Sequence, residues 1–322
     1  MTPARFTILM NVTMDSPDDC RVLSIQSSVV SGYVGNKSAT FPLQVLGFDV
    51  STVNSVQFSN HTGYKVFKGQ VLNADDMSCL YDGLKSNMIH HYTHLLTGYI
   101  GSKSFLEKVG EIVKDLREQN PNLTYVCDPV MGDNGKMVGL SGDLWYVPKE
   151  LLEVYREVIV PLADIVTPNQ FEAEMLTEVK IETEADAWKA MQILHDMGPK
   201  TVVISSSDLG PEGNIVGLAS SITNGCKEHY RINMPYIPQV FVGTGDLFAA
   251  CLLAWIQKDK NLKVALEKTV SIVQAVIQRT VCHALRLAGK GNKPTPEQME
   301  LRLIQSKADI EHPTIQFEAV PV

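Results

Sequence analysis

The feature that most constrains the fold is a regular alternation of short apolar runs with longer amphipathic stretches. Strands that alternate with helices pair in parallel, because each helix returns the chain to the same end of the sheet. We therefore expect an α/β fold with a mostly parallel sheet and helices on both of its faces. The predicted strands are 21–27, 48–56, 93–98, 123–129, 163–168 and 201–208.

Two helices are predicted most clearly, over 104–119 and 183–198. Thr183 is a preferred N-cap residue and Gly198 a preferred helix stop, so the second helix has boundary signals at both ends. The sequence contains no internal repeat and no linker rich in Gly and Ser. We expect a single domain over 20–322, preceded by a flexible N-terminal extension over 1–19.

Composition narrows the class of protein. A chain of 322 residues with 44% hydrophobic residues can bury a large core, and a net charge of -8 without clustered Lys and Arg argues against nucleic-acid binding. The longest apolar run, 247–256, is too short to cross a membrane. The six cysteines are scattered and form no CxxC pair, which indicates reduced thiols in a cytoplasmic protein rather than disulfides or a zinc site.

Polar side chains follow several of the predicted strands. They are Gln26, Ser27, Asp128, Thr167, Asn169 and the run 205–208. Any one of them is explained by a turn. Ligands of parallel α/β sheets, however, bind beyond the carboxyl ends of the strands. Together these residues predict a polar cleft there.

Three competing motifs fail. The segment 32–38 lacks the spacing of a phosphate-binding P-loop, because Asn36 stands between the glycine and the lysine. A dinucleotide fingerprint starting at Gly243 has Phe248 where its third glycine belongs. His90 and His94 have i, i+4 spacing but lack the Glu of a zinc hydrolase, so we expect a surface loop there.

The turn Gly243-Thr244-Gly245 precedes Asp246 and an apolar helix. An acidic residue at a helix N-terminus stabilises the helix, and this alone would explain Asp246. Glycines also allow several backbone N–H groups to converge on one anion such as a phosphate. An Asp beside such a site could accept the proton of an attacking hydroxyl, so both interpretations stay open at this point.

This turn, together with the NxxE pair in TPNQFEAE (167–174), resembles the ribokinase superfamily of small-molecule kinases. The segments 24–47 and 53–64, which read SIQSSVVSGYVGNKSATFPLQVLG and VNSVQFSNHTGY, resemble the pyridoxal kinase family within it. The resemblance implies a ribokinase-like three-layer αβα sandwich and ATP-dependent phosphorylation of the 5'-hydroxymethyl group of pyridoxal, pyridoxine and pyridoxamine. It further implies a homodimer.

The resemblance also implies roles for individual residues. Asp246 would be the general base, and Gly243, Thr244 and Gly245 the anion hole. Ser27, Val56, Phe58, Thr62 and Tyr99 would bind the vitamin. ATP would contact Asp128, Tyr146, Asn169, Ser205, Ser206 and Thr244. Mg²⁺, or alternatively Zn²⁺, would be held near Asp128, Asp133 and Glu172, and K⁺ or Na⁺ near Thr167 and Ser205.

Some of these roles have simpler explanations. Asn169 and Glu172 also fit the N-cap and first-turn acid of a helix. The segment 133–148, which would form a flap over the nucleotide, is longer than the family leads us to expect. Two other functions remain possible: a hydroxymethylpyrimidine kinase of the same superfamily, or a non-catalytic vitamin-binding protein with this fold. The first is disfavoured by 24–28 and 60–64, and the second by Asp246, because a binding protein needs no base.

Overall fold

The computed structural model describes residues 20–133, 144–145, 147–223 and 225–322. Ten of the described strands form one sheet, in the order β12-β11-β10-β9-β8-β5-β4-β1-β2-β3. They are β1 Arg21–Val29, β2 Asp49–Phe58, β3 Gly69–Val71, β4 His94–Thr97, β5 Thr124–Cys127, β8 Ile165–Val166, β9 Thr201–Ser207, β10 Asn214–Thr223, β11 Cys226–Pro235 and β12 Ala319–Pro321. A separate small ribbon pairs β6 Gly132–Asp133 with β7 Leu144–Trp145.

The centre of the sheet is parallel, as predicted. Strands β2, β1, β4, β5, β8 and β9 run in the same direction, and each corresponds to one of the six predicted runs. Both edges are antiparallel, where β3 joins β2 and where β10, β11 and β12 follow β9. The chain order reverses between β4 and β1, a switch point at which α/β sheets open a crevice for ligands.

Helices cover both faces of the sheet, which gives the expected three layers. They are α1 Asn36–Val45, α2 Ala74–Ser86, α3 Lys103–Gln119, α4 Leu151–Val154, α5 Val160–Leu162, α6 Gln170–Thr177, α7 Glu184–Met197, α8 Thr244–Asp259, α9 Leu262–Ala288 and α10 Lys307–Glu311. A π-helical turn spans Tyr155–Ile159, and a 3₁₀ turn spans Ile304–Ser306. One core lies beneath α2 to α7, and the other lies beneath α1, α8, α9 and α10.

The strands supply both cores because successive side chains point to opposite faces. In β5, Tyr125 belongs to the first core and Val126 to the second; in β4, Leu95 and Leu96 divide in the same way. All four side chains are fully buried. This two-sided burial explains why the central strands read as continuous apolar runs in the sequence.

The two predicted helices are confirmed, including the boundary signals of α7. Thr183 is its N-cap and forms a capping box with Asp186, and Gly198 ends it at a φ of 149°.

The prediction of a surface loop at His90 and His94 is wrong, because both rings are buried. His90 and His94 are 8% and 3% exposed, and burial lowers the pKa of His94 to about 4. Among the described residues, the His, Cys, Asp and Glu side chains form no group of three or more that could hold a metal ion.

The remaining expectations from composition concern cysteines and membranes. All six cysteines lie in the described part of the chain and are free thiols, and Cys20, Cys127 and Cys251 are buried. Over the described ranges, no helix combines the length and apolar character that a membrane span requires.

Candidate active site

A cavity of about 720 Å³ lies beyond the carboxyl ends of the parallel strands. Its volume is in the usual range for small-molecule sites. All the predicted site residues whose side chains the structure describes line it: Ser27, Val56, Phe58, Thr62, Tyr99, Asp128, Thr167, Asn169, Glu172, Ser205, Ser206, Gly243, Thr244, Gly245 and Asp246. The side chain of Asp133 and all of Tyr146 lie outside the described residues.

The glycine turn is held against the loop between β1 and α1. Gly243 is the N-cap of α8 and has a φ of 89°, and a Cβ atom there would lie 2.1 Å from the carbonyl oxygen of Tyr33. The Ser38 hydroxyl donates a hydrogen bond of 2.9 Å to the Gly243 carbonyl. Only glycine fits this conformation and this contact, so the neighbouring backbone constrains the turn.

Asp246 is held by the same loop. The backbone N–H of Gly35 donates to its Oδ2 atom at 2.7 Å. Gly35 has a φ of 53°, and a Cβ atom would lie 2.0 Å from the carbonyl oxygen of Ser27. Asp246 is not the N-cap, because Gly243 occupies that position. Burial raises the pKa of Asp246 to about 6, and the Gly35 hydrogen bond opposes that rise.

Asp128 follows β5 and its carboxylate lies against the glycine turn. A Cβ atom on Gly245 would lie 3.4 Å from its Oδ2 atom. Asp128 is 5% exposed, and its Oδ2 atom has no hydrogen-bond partner among the described residues. Burial first, and then the negative charges of Glu172 and Asp246, raise its pKa well above the ordinary value. A bound cation would relieve the repulsion of Asp128 by the other two carboxylates.

Asn169 and Glu172 form the capping box of α6. The Glu172 carboxylate accepts hydrogen bonds of 2.9 Å from the backbone N–H groups of Met131 and Asn169, one at each oxygen. The Asn169 side chain accepts from the Glu172 N–H and donates to the Gly132 carbonyl. The alternative interpretation as helix caps therefore describes these contacts, and Glu172 could reach a cation only with its remaining lone pairs or through water.

Thr167 and Ser205 come from the ends of β8 and β9. The Thr167 side chain is buried, and its Oγ1 atom has no hydrogen-bond partner in the described part of the chain. Both the N–H and the hydroxyl of Ser205 donate to the Pro168 carbonyl, at 2.9 and 3.4 Å. A buried oxygen without a partner is costly unless a ligand or water completes it, so the pair fits a small cation.

The part of the cavity wall formed by β1, β2 and the segment after β4 combines apolar side chains with hydroxyl groups, and we call it the apolar end. Val56 and Phe58 line it from β2, Tyr99 lies beyond β4, and Ser27 contributes a buried hydroxyl. The backbone carbonyl of Tyr99 accepts from Ser55 at 2.6 Å, which fixes the start of its loop. An apolar wall with a few hydroxyl groups suits a flat heteroaromatic ligand.

Sequence reasoning missed three parts of this site. One is His61 and a second is the loop 235–242 before the glycine turn, both of which line the cavity. The third is a face of α9 made by Val270, Val273, Gln274 and Ile277. Their i, i+3, i+4, i+7 spacing is visible in the sequence but is equally typical of a core stripe, so it could not identify a site.

Comparisons with known proteins show which family this chain belongs to. The family model described as phosphomethylpyrimidine kinase matches residues 51–295. The pyridoxal kinase of Bos taurus is 57% identical over 311 residues, which cover 94% of this chain and 98% of that protein. The pyridoxal kinase of Leishmania donovani in complex with ADP and pyridoxamine superposes with a TM-score of 0.85, at 36% identity over 94% of this chain and 100% of that one.

A second structure of the Leishmania donovani enzyme, in complex with ADP and pyridoxine, has a TM-score of 0.84 at 36% identity and covers 94% of this chain and 99% of that one. The family model takes its description from the related pyrimidine kinases, whereas these relatives match over nearly their full length and are pyridoxal kinases. The chain therefore belongs, within the family of that model, to the pyridoxal kinases.

Proposed function

We propose that this chain transfers the γ-phosphoryl group of ATP to the 5'-hydroxymethyl group of pyridoxal, pyridoxine and pyridoxamine, with Asp246 as the general base. The substrate oxygen attacks the γ-phosphorus, its proton passes to the Asp246 carboxylate, and the bond from the γ-phosphorus to the bridging oxygen breaks to release ADP. The 2.7 Å hydrogen bond from Gly35 supports this role, because it occupies Oδ2 and leaves the other oxygen to accept the proton.

The backbone N–H groups of Gly243, Thr244 and Gly245 stabilise the charge that develops on the transferred phosphoryl group. They stand at the N-terminus of α8, whose dipole favours negative charge. Because the turn is fixed by Tyr33 and Ser38, its donors need no reorganisation when the reaction occurs. Preorganised donors of this kind supply much of the catalysis in phosphoryl transfer.

The vitamin binds at the apolar end of the cavity. Val56, Phe58 and Tyr99 pack against the pyridine ring, and the hydroxyls of Ser27 and Thr62 make hydrogen bonds to its polar substituents. The support is their shared position on the cavity wall, next to the loop that holds Asp246. Hydroxyl groups on apolar walls fix the orientation of a flat ring without adding charge.

ATP binds at the other end. Asn169, Ser205, Ser206 and Thr244 contact the nucleotide, with Tyr146 from the flap, and the α9 face packs against the adenine ring. Asp128, Glu172 and Asp133 would hold Mg²⁺, or Zn²⁺ in its place, and the ion would neutralise negative charge on the phosphate groups. Thr167 and Ser205 hold K⁺ or Na⁺. One support is the raised pKa of Asp128, to which burial and then the charges of Glu172 and Asp246 contribute. The other is the Oγ1 atom of Thr167, which has no hydrogen-bond partner among the described residues.

The kinase functions as a homodimer, with residues 20–322 as one domain. Support for the domain is that strands from Arg21 to Pro321 belong to one sheet. Support for the dimer is the edge strand β3 with the segment before it, where Val66, Phe67 and Val71 present exposed apolar side chains. Such edges are prone to pair with another chain. The six free cysteines fit the reducing cytoplasm.

The test is a parallel assay. The purified chain with Mg-ATP is offered pyridoxal and hydroxymethylpyrimidine separately, and the phosphorylated product of each is measured. We expect pyridoxal to be the better substrate by kcat/KM. Turnover of the pyrimidine alone would contradict the proposal and favour a pyrimidine kinase. Binding of pyridoxal without phosphorylated product would indicate a non-catalytic vitamin-binding protein.

A further inference from the structure

Glu300 lies in the segment after α9, far along the chain from the residues that it contacts at the cavity. Its Oε2 atom accepts a hydrogen bond of 3.1 Å from the backbone N–H of Tyr33, 267 positions away. Its Oε1 atom accepts a bond of 2.9 Å from the Tyr64 hydroxyl, 236 positions away. One carboxylate therefore links two loops that are separate in the sequence.

A third contact is made by His61, whose Nε2 atom lies 3.5 Å from Oε1 of Glu300. The Nδ1 atom of His61 accepts a hydrogen bond of 3.1 Å from the backbone N–H of Gly63. The neutral ring therefore carries its proton on Nε2, the atom that faces the carboxylate. The ring also packs edge-on against Tyr64, with centroids 4.7 Å apart.

The fit around this carboxylate is close. The Glu300 side chain is only 15% exposed. A Cβ atom on Gly32 would lie 2.4 Å from its Oε1 atom, so the carboxylate rests directly on the backbone of that glycine. Buried charge needs several hydrogen bonds to compensate for lost hydration, and the two loops provide them.

Each linked loop carries a different part of the site. The β1–α1 loop contains Tyr33, which touches Gly243, and Gly35, which holds Asp246. The β2–β3 loop contains His61, Thr62 and Gly63, all of which line the cavity. A group that ties the loops together sets the distance between the bound substrate and the base.

We propose that Glu300 is a positioning residue that holds the β2–β3 loop at a fixed distance from the base and thereby determines the affinity for the B6 vitamer. This inference rests on the proposed function. Glu300 itself is not among the residues that line the cavity, so it acts through His61, Tyr64 and Tyr33. The link from Glu300 to the glycine turn runs through Tyr33, and the Ser38 hydroxyl holds that turn independently of Glu300, so the nucleotide end should be affected less.

The experiment measures KM for pyridoxal, KM for ATP and kcat in Glu300→Ala, Glu300→Gln and Tyr64→Phe. In Glu300→Ala, KM for pyridoxal should rise by about tenfold to a hundredfold, because a hydrogen bond to a charged group contributes a free energy of that size. KM for ATP should change by less than about twofold. Glu300→Gln keeps an acceptor and should lie between. Tyr64→Phe should raise KM for pyridoxal in the wild type but add little in the Glu300→Ala background.

Asp309→Ala is the matched control. Arg279 donates a hydrogen bond of 2.5 Å to the Asp309 carboxylate. This ion pair anchors the same C-terminal part of the chain, away from the cavity. This variant should lower the melting temperature without changing either KM.

Three outcomes would overturn the inference. They are an unchanged KM for pyridoxal in the Glu300 variants, equal rises in both KM values, and a rise in KM in the Asp309→Ala control. Should Glu300→Ala not fold, the Glu300→Gln and Tyr64→Phe data decide alone. Failure of the proposed function would instead appear as a wild type that does not phosphorylate pyridoxal.

Discussion

At the scale of single residues, Asp246 combines two opposing influences. Burial raises its pKa to about 6, and the Gly35 hydrogen bond opposes the rise. A general base works only when deprotonated, and a pKa near the working pH suits proton transfer. The residue is therefore placed to be ionised at neutral pH and still able to accept a proton.

The first prediction follows from this pKa. As pH falls below about 6, Asp246 becomes protonated and kcat/KM for pyridoxal should fall, approaching tenfold per pH unit. The residual activity of Asp246→Asn should not fall in this way, because the amide does not titrate in that range. Initial rates between pH 5 and 8 at constant ionic strength test the prediction. The same fall at low pH in both proteins would assign the titration to another group.

The second prediction concerns Gly35. Gly35→Ala would place a methyl group 2.0 Å from the Ser27 carbonyl oxygen and displace the N–H that holds Asp246. We expect kcat to fall by about 10² or more, since small misplacements of catalytic groups are costly. Gly47→Ala is the matched control, because Gly47 also has positive φ, 92°, but a Cβ atom there has nothing within 4 Å. Equal losses in the two variants would mean that backbone strain alone is responsible.

The sequence predicted the residues of the glycine turn because they are contiguous and their chemistry is local. It could not predict that Gly35 would hold Asp246 across 211 positions, nor that Glu300 would link two loops. Such contacts depend on how the sheet brings distant loops together. In the sequence, nothing distinguishes Glu300 from the other acidic residues near the C-terminal end.

At the scale of elements, α9 contributes a wall to the cavity, at the end where we propose that the nucleotide binds. Our third prediction is that Val273→Ala raises KM for ATP by about threefold to tenfold, because it removes apolar contact from that wall. KM for pyridoxal should stay unchanged. Val276→Ala is the control, since Val276 is fully buried and does not line the cavity. It should lower stability only, and a rise in KM for ATP there would show a general loosening of α9.

The six central strands were predictable because burial on both faces produces continuous apolar runs. The hairpin of β10 and β11 was not, because β11 buries only Ile232 and Met234 and carries charged residues such as Lys227 and Arg231. The short edge strands β3 and β12 have three residues each, too few for a sequence pattern. His94 falls within the predicted strand 93–98 and is buried in β4, so the expectation of a surface loop there was wrong.

At the scale of the whole molecule, strands and helices from distant parts of the chain bring negative charge together. Asp128 follows β5, Glu172 lies in α6 and Asp246 lies in α8. Burial first, and then the charges of Glu172 and Asp246, raise the pKa of Asp128. A cation would relieve this repulsion and so bind with the nucleotide.

The fourth prediction is that EDTA abolishes turnover and that added Mg²⁺ restores it. Activity should also depend on a small monovalent cation, because Thr167 and Ser205 offer oxygens to one at the nucleotide end. Rates are compared in K⁺, Na⁺ and tetramethylammonium chloride at equal ionic strength. Full turnover with EDTA, or equal rates in tetramethylammonium, would contradict the corresponding ion site.

The central claim is that Asp246 is the base, and Asp246→Asn tests it most directly. The amide keeps the size and the acceptor for Gly35 but cannot take a proton, so kcat with pyridoxal should fall by roughly 10² to 10⁴. ATP affinity should persist. Above pH 6 the buried charge costs stability, because the raised pKa favours the protonated form in the folded state, so the variant should melt no lower than wild type at pH 8. A folded variant that binds ATP and turns over pyridoxal at the wild-type rate would contradict the account.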